Sequence, residues 1–248
     1  MDEKVMSFLQ NISRLWSAAG TLCFPPHCAG CRADTERGVH VCEQCAETAE
    51  RIVAPYCQRC SNPFDGASTD AFTCANCANR EVHFECAVAP YKSRGIVRDC
   101  IHAFKYNNAL HLCPQLAAWL AETLNDPRIT SCIADAFIPV PLHHVRFRER
   151  EFNQAEELAR LLAKQTNIPM WHALKRIRYT TTQTKLDRSE RMENLHGAFR
   201  VRHTRRVKGR HLILVDDVFT TGSTVEECSR VLMRAGAASV RVITVARG

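Results

Sequence analysis

The sequence predicts an α/β protein, with a parallel sheet flanked by helices and a small cysteine-rich module in front of it. Two observations predict this. Four Cys-x-x-Cys pairs fall within residues 28–77 of the 248-residue chain. Beyond about residue 80, short apolar runs alternate with amphipathic ones, the order that builds parallel sheets through right-handed crossovers. The expected division is an amphipathic helix over 1–22, the cysteine-rich module over 23–80 and the α/β domain over 81–248.

The first segment opens Asp-Glu-Lys and spaces Val5, Leu9, Ile12 and Trp16 at helical intervals. A signal peptide has a basic start and an unbroken apolar run, so a docking helix and a cytoplasmic protein are expected. No window holds the roughly 18 consecutive apolar residues of a membrane span, so no membrane insertion is expected.

The pairs are Cys28/Cys31, Cys42/Cys45, Cys57/Cys60 and Cys74/Cys77. In a reducing compartment such spacing points to metal rather than disulfides. Each pair forms a knuckle that aims two sulfurs at one ion, and two knuckles complete a tetrahedral thiolate site. Eight ligands suffice for two closed structural zincs. A closed site has no open position for water, so no catalysis is expected there. Sequential pairing (28/31 with 42/45, 57/60 with 74/77) is favoured over a cross-brace, which the spacing leaves open. Zinc here replaces a core that so short a segment cannot build. Cys23, Cys86, Cys100, Cys113, Cys132 and Cys228 repeat no spacing and read as small buried hydrophobes.

In the second half, 93–105, 110–124, 153–165 and 225–235 read as helices, and 133–140, 211–215 and 240–245 as strands. The net charge of +7 divides unevenly. Residues 1–80 carry 7 Lys/Arg against 9 Asp/Glu, whereas 81–248 carry 26 against 17. Thiolate-bound zinc makes the first part more acidic still, which argues against a phosphate-tracking surface there. Single-stranded DNA, if a partner, is expected on the basic second domain.

The segment 211–224 runs from an apolar strand to Asp216-Asp217, then through Thr220-Thr221-Gly222-Ser223-Thr224 into a helix. The strand delivers two carboxylates to the carboxyl edge of the sheet, where open α/β folds bind ligands. Such carboxylates can accept hydrogen bonds from the vicinal hydroxyls of a ribose. The turn after them offers N–H groups and hydroxyls at a helix N-terminus, an anion site, and Gly222 lets the backbone approach closely. Diol and anion together describe a ribose 5-phosphate. A Walker loop is excluded, because no Gly-Lys-Ser/Thr follows the glycine.

Val215–Thr224 matches, almost residue for residue, the motif by which type I phosphoribosyltransferases bind phosphoribosyl pyrophosphate (PRPP). The chain as a whole resembles the ComF family, also called ComFC or GntX-like proteins. The supporting segments are the cysteine pairs, Pro139-Val140-Pro141-Leu142, Arg150 with Phe152-Asn153-Gln154, Gln183 with Arg191 and Asn194, and Gly197-Ala198-Phe199. The resemblance implies a type I phosphoribosyltransferase-like domain behind a double zinc ribbon. It also implies a pyrophosphate loop over 141–150, with Arg146 and Arg150 as contacts, and a lid over 180–194. In that lid Lys185, Arg188 and Arg191 would act on departing pyrophosphate. Residues 175–210 hold twelve Lys/Arg against three acids, which also suits a solvated basic face or a nucleic-acid patch. Lys105 is a weaker candidate for a ligand contact. The family usually has glycine where Glu151 stands, and a carboxylate there would repel a pyrophosphate. The function implied is a PRPP- and Mg²⁺-binding transferase with an acceptor the sequence does not reveal, associated with competence and DNA-uptake proteins. The alternative is a PRPP sensor that acts with DNA without turnover.

Overall fold

The computed structural model describes residues 27–64, 66, 72–78, 81–179 and 194–248. The chain divides between Thr48 and Ala49 into two compact units.

In the first unit the backbone turns tightly around Cys28–Cys31, with Cys28 N donating to Ala33 O and Ala29 N to His40 O, both at 2.8 Å. A short helix, α1 (Glu43–Glu47), follows Cys42. Among the described residues of this unit only Cys28 and Val41 are buried. Two buried side chains contribute little toward the conformational entropy of ordering these described residues, a setting in which a bound metal supplies folding energy.

The second unit is built on a parallel sheet. Its strands are β1 (Ala87–Val88), β2 (Tyr91–Lys92), β3 (Ala136–Pro139), β6 (His211–Phe219) and β7 (Ser239–Arg247). The spatial order is β1-β7-β6-β3, and β2 pairs with β7 beyond β1. Register is fixed by Leu214 opposite both Ile138 and Val242. Residues 212–215 and 239–246 are buried without a break, as expected of strands covered on both faces.

Helices α3 (Gly95–Tyr106), α4 (Cys113–Ala121), α7 (Gln154–Thr166) and α9 (Ser223–Arg234) supply the cover. In α3 the buried residues Ile96, Val97, Cys100, Ile101 and Phe104 form one face at helical spacing. Shorter helices are α2 (Ala75–Ala78), α5 (Pro127–Thr130), α6 (His144–Arg150) and α8 (Thr204–Val207). A separate antiparallel pair, β4 (Leu174–Arg176) with β5 (Phe199–Val201), lies in the basic run.

The differences from the sequence reading have local causes. The expected helix over 110–124 is broken into a 3₁₀ turn, α4 and a second 3₁₀ turn. Pro114 is the second residue of α4, and proline is tolerated only in a first turn. The strand expected from 133 begins at Ala136, since Ile133 is 90% exposed.

The second cysteine group belongs to this second unit. Cys57, Cys60 and Cys77 are buried in one apolar cluster with Phe84, Ala87 and Val242. Ala87 N donates to Arg59 O at 2.7 Å, and Ser61 Oγ donates to Ala87 O at 2.9 Å. This metal loop is therefore stitched to β1, at one side of the sheet.

Candidate functional site

Asp216 and Asp217 are successive residues of β6, opposite the Thr244 region of β7. Successive strand side chains point to opposite faces, so the two carboxylates have different surroundings. Asp217 is buried and paired with Lys105 of α3, Nζ to Oδ1 2.8 Å. Burial opposes the charge on Lys105, but the Asp217 carboxylate outweighs it and holds the ammonium above its ordinary pKa. Asp216 accepts from the Asp217 N–H at 2.9 Å. Its pKa is pushed up to about 7, first by burial and then by the neighbouring Asp217 charge, with Lys105 and Arg150 opposing.

Beyond Phe219 the chain turns through Thr220 and Thr221 into α9. Gly222 sits at φ +77°, and a β-carbon there would lie 2.5 Å from the Phe219 ring. Both the turn and the packing therefore require glycine. Thr221 Oγ1 and Ser223 Oγ are 3.0 Å apart, so their hydroxyls crowd the start of the helix. Asp216 and Thr220–Thr224 line one small cavity. The backbone N–H groups of Thr221, Gly222 and Thr224 have no partner among the described residues. This is a cradle of donors at the amino end of a 12-residue helix, beside a carboxylate.

The segment expected as a loop over 141–150 is irregular only to His143 and then forms α6. His143 caps α6, its Nδ1 accepting from Val145 N at 3.4 Å, which leaves the neutral ring's proton on Nε2. Glu151 ends α6 at φ +64°, the left-handed position that glycine takes most easily. Its carboxylate accepts from Asn108 Nδ2 at 2.8 Å.

Phe152-Asn153-Gln154 then has a structural explanation. Phe152 packs on Phe104, ring centroids 5.1 Å apart. Asn153 caps α7 through Ala155 N and ties it to the residue after β3 by donating to Val140 O at 3.0 Å. Gln154, buried, accepts from Arg150 Nη1 at 3.1 Å and so aims that guanidinium.

Arg150 also lies within electrostatic reach of Asp216, Lys105 and Arg176. Arg146, paired with Glu149 at 2.9 Å, acts on Arg176 as well. Arg176, on β4, is the residue sequence reasoning missed. Burial lowers its pKa, while Asp216 and Cys228 support its charge. The signal lay hidden in a basic run in which its neighbours Lys175 and Arg178 face solvent. Three cations, Lys105, Arg150 and Arg176, thus act on Asp216, and Arg146 reaches Arg176. Lys185, Arg188 and Arg191 lie outside the described residues. The two stems of their segment meet where Arg178 Nη2 donates to Asn194 O at 2.6 Å, and Gly197 N donates to Glu227 of α9 at 2.7 Å.

The cysteines form two separate tetrads, Cys28/Cys31/Cys42/Cys45 and Cys57/Cys60/Cys74/Cys77, with sulfurs within 4.8 Å of one another. Pairing is sequential. Cys31 and Cys42 sulfurs are 3.8 Å apart, and Cys60 and Cys74 sulfurs 3.7 Å. A tetrahedron with Zn–S bonds of about 2.3 Å has an edge of about 3.8 Å, so each tetrad fits zinc. Backbone N–H groups stabilise the thiolates, Cys42 N reaching Cys28 Sγ and Cys74 N reaching Cys57 Sγ, both at 3.3 Å. Cys57 is held below the ordinary thiol pKa, first by its bond from Cys60. Cys28 is lowered too, because these N–H bonds together outweigh burial.

Residues 19–80 match the model of the double zinc ribbon domain, and residues 153–248 that of the phosphoribosyl transferase domain. A protein with a phosphoribosyltransferase-type domain and two four-cysteine zinc-ribbon sites is thus the class the fold and the sites define. Competence protein F of Haemophilus influenzae is 31% identical, over 89% of this chain and 95% of its own length. DNA utilization protein YhgH of Escherichia coli strain K12 is 32% identical over 84% and 90%, and competence protein ComFC of Bacillus subtilis 26% identical over 84% of each. The chain belongs to the competence protein F family. No helix among the described residues is long and apolar enough to cross a membrane.

Proposed function

We propose that the protein binds PRPP with Mg²⁺ and transfers its phosphoribosyl group to an acceptor in the handling of imported DNA. The observation that carries this is the junction of β6 and α9, where Asp216 stands beside a cradle of unpartnered N–H groups and hydroxyls over Thr220–Thr224. The cradle suits the 5-phosphate and the carboxylate suits the ribose hydroxyls. Lys105, Arg146, Arg150 and Arg176 supply positive charge where pyrophosphate would depart, and such preorganised charge is worth most away from water. Mg²⁺ takes oxygen ligands and is commonly shared between a carboxylate and substrate phosphates; Asp216 is a donor of that kind, and the ion would neutralise charge developing on the leaving group. Lys185, Arg188 and Arg191 are suited to close over it. The names of the relatives support the link to DNA uptake.

The test is ligand-dependent stability followed by turnover. PRPP with Mg²⁺ at about 100 times its dissociation constant should stabilise the native state by about 2.7 kcal/mol. Asp216→Ala, which leaves the Lys105–Asp217 pair in place, should remove the gain. A melting temperature unmoved across the titration refutes the reading. Pyrophosphate release with a panel of amines and nucleobases then separates a transferase from a PRPP sensor without turnover.

A further inference from the structure

The carboxyl edge of the sheet holds a second cavity, of about 340 Å³, at the ends of β2 and β7. Lys92, Ser93, Arg94, Arg247 and Gly248 line it, together with Asn62 from the second metal loop. It borders the cradle directly. A β-carbon built on Gly248 would stand 3.5 Å from both Thr220 Cγ2 and Ser93 Cβ, and Gly248 N donates to Phe219 O at 2.9 Å.

Three cations, Lys92, Arg94 and Arg247, line this space. Glu50 is the one carboxylate side chain paired with them among the described residues, 3.6 Å from Lys92 Nζ and 4.0 Å from Arg94 Nη1. Arg247 lies over the Phe219 ring and donates from Nη1 to Phe219 O at 3.2 Å and to Gly248 O. Its Nε is buried with no partner among the described residues. Such charge does little for the fold, because Lys92 and Arg94 support no core. A polar cavity with surplus positive charge is complementary to an anion. Its size is at the lower end of that of small-molecule sites, roughly 300–1,000 Å³.

We propose that this cavity receives the anionic end, phosphate or carboxylate, of the molecule that accepts the phosphoribosyl group. This rests on the reading that PRPP occupies Thr220–Thr224. In the transfer, the bond from the anomeric carbon to the pyrophosphate oxygen breaks and its electron pair leaves with pyrophosphate. The acceptor's nucleophilic atom supplies the pair for the new bond and gives up its proton to water. Lys92, Arg94 and Arg247 hold the far end of that acceptor, so that its nucleophile points back over Thr220.

The experiment follows backbone amides of the full-length zinc-loaded chain by NMR while inorganic phosphate, or separately acetate, is added. Two groups of amides report: Arg94, Gly95 and Gly248 for the cavity, and Thr221 and Gly222 for the cradle. Phosphate is expected to move both groups. Lys92→Glu with Arg94→Glu should abolish the first response and spare the second; Lys92→Gln with Arg94→Gln is the milder variant, and unchanged spectra elsewhere report an intact fold. If phosphate moves Thr221 and Gly222 alone, the cavity proposal is overturned while the cradle stands. If it moves Arg94, Gly95 and Gly248 alone, the anion cavity stands and the PRPP reading fails. A response to acetate as strong as to phosphate assigns a carboxylate end, and a response to phosphate alone assigns a phosphate.

Discussion

Lys105 Nζ lies 2.8 Å from Asp217 Oδ1, joining α3 to β6 beneath the candidate site. The pair fixes a carboxylate that would otherwise be buried and unneutralised, next to Asp216 and its raised pKa. It thereby sets the two aspartates apart, Asp217 held by a cation and Asp216 the carboxylate that the proposed function assigns to a ligand.

Lys105→Met is expected to destabilise the protein. Removing one partner of a buried ion pair costs about 3–5 kcal/mol, and with the Lys105 side chain 21% exposed the lower end applies. Lys105→Met with Asp217→Asn should recover most of the loss. Denaturant midpoints of wild type and the two variants check this, and a single variant as stable as wild type would contradict it.

Stability should fall with rising pH through the titration of Asp216. Its folded pKa of about 7 lies above the ordinary 3.8, so the folded state holds a proton that the unfolded chain releases. The contribution is fully present below about pH 4 and is lost as pH climbs through about 7. Asp216→Asn should therefore be more stable than wild type at pH 8 and closer to it at pH 5. Thermal melts without Mg²⁺ across that range measure it, and parallel curves for the two proteins would rule it out.

The two zincs should not be equivalent. Freshly purified, reduced protein should carry close to two per chain. Cys42→Ser should release the first unit's metal and leave the melting of the phosphoribosyltransferase-type unit unchanged. Cys57→Ser should lower that melting, because Cys57 is buried in the same cluster as Ala87 and Val242. Metal analysis with calorimetry separates the two effects.

Nucleic-acid binding is expected on the basic run rather than on the metal sites. Arg202, Arg205 and Arg206 are exposed around α8, with Arg206 over the Trp171 ring at 4.4 Å. Replacing all three with Gln should weaken single-stranded DNA binding regardless of sequence. It should also flatten the salt dependence by roughly 0.7 per lost phosphate contact. PRPP binding should be nearly unaffected. A fragment of residues 1–80 that binds DNA as tightly as the whole chain would reverse the assignment.

Much of this was legible in the sequence because the chemistry was local. Cys-x-x-Cys spacing fixes two sulfurs on one knuckle, and the run from Val215 to Thr224 is contiguous. Long buried strands announce themselves, as 211–215 and 240–245 did, although both run further than their apolar stretch. β1 and β2 are two residues each and exist only because β7 lies beside them, which no window can reveal. Lys105 and Arg176 reach the site from distant elements, so their roles depend on tertiary packing. Glu151 looked like a charge in the wrong place; its backbone angle explains the glycine usual there, and Asn108 takes up its carboxylate.

The pairing of Ala87 with Val242 has a consequence for how the chain comes to be made. β7 lies between β1 and β6, yet it is synthesised after both. Until it emerges, the second metal loop has no sheet to dock on and β6 lacks one of its two neighbours. Closing so long a loop is the entropic step that parallel pairing postpones. A chain stopped after residue 238 would therefore keep its cysteine pairs and its Asp216–Thr224 segment, yet lack the strand that joins them.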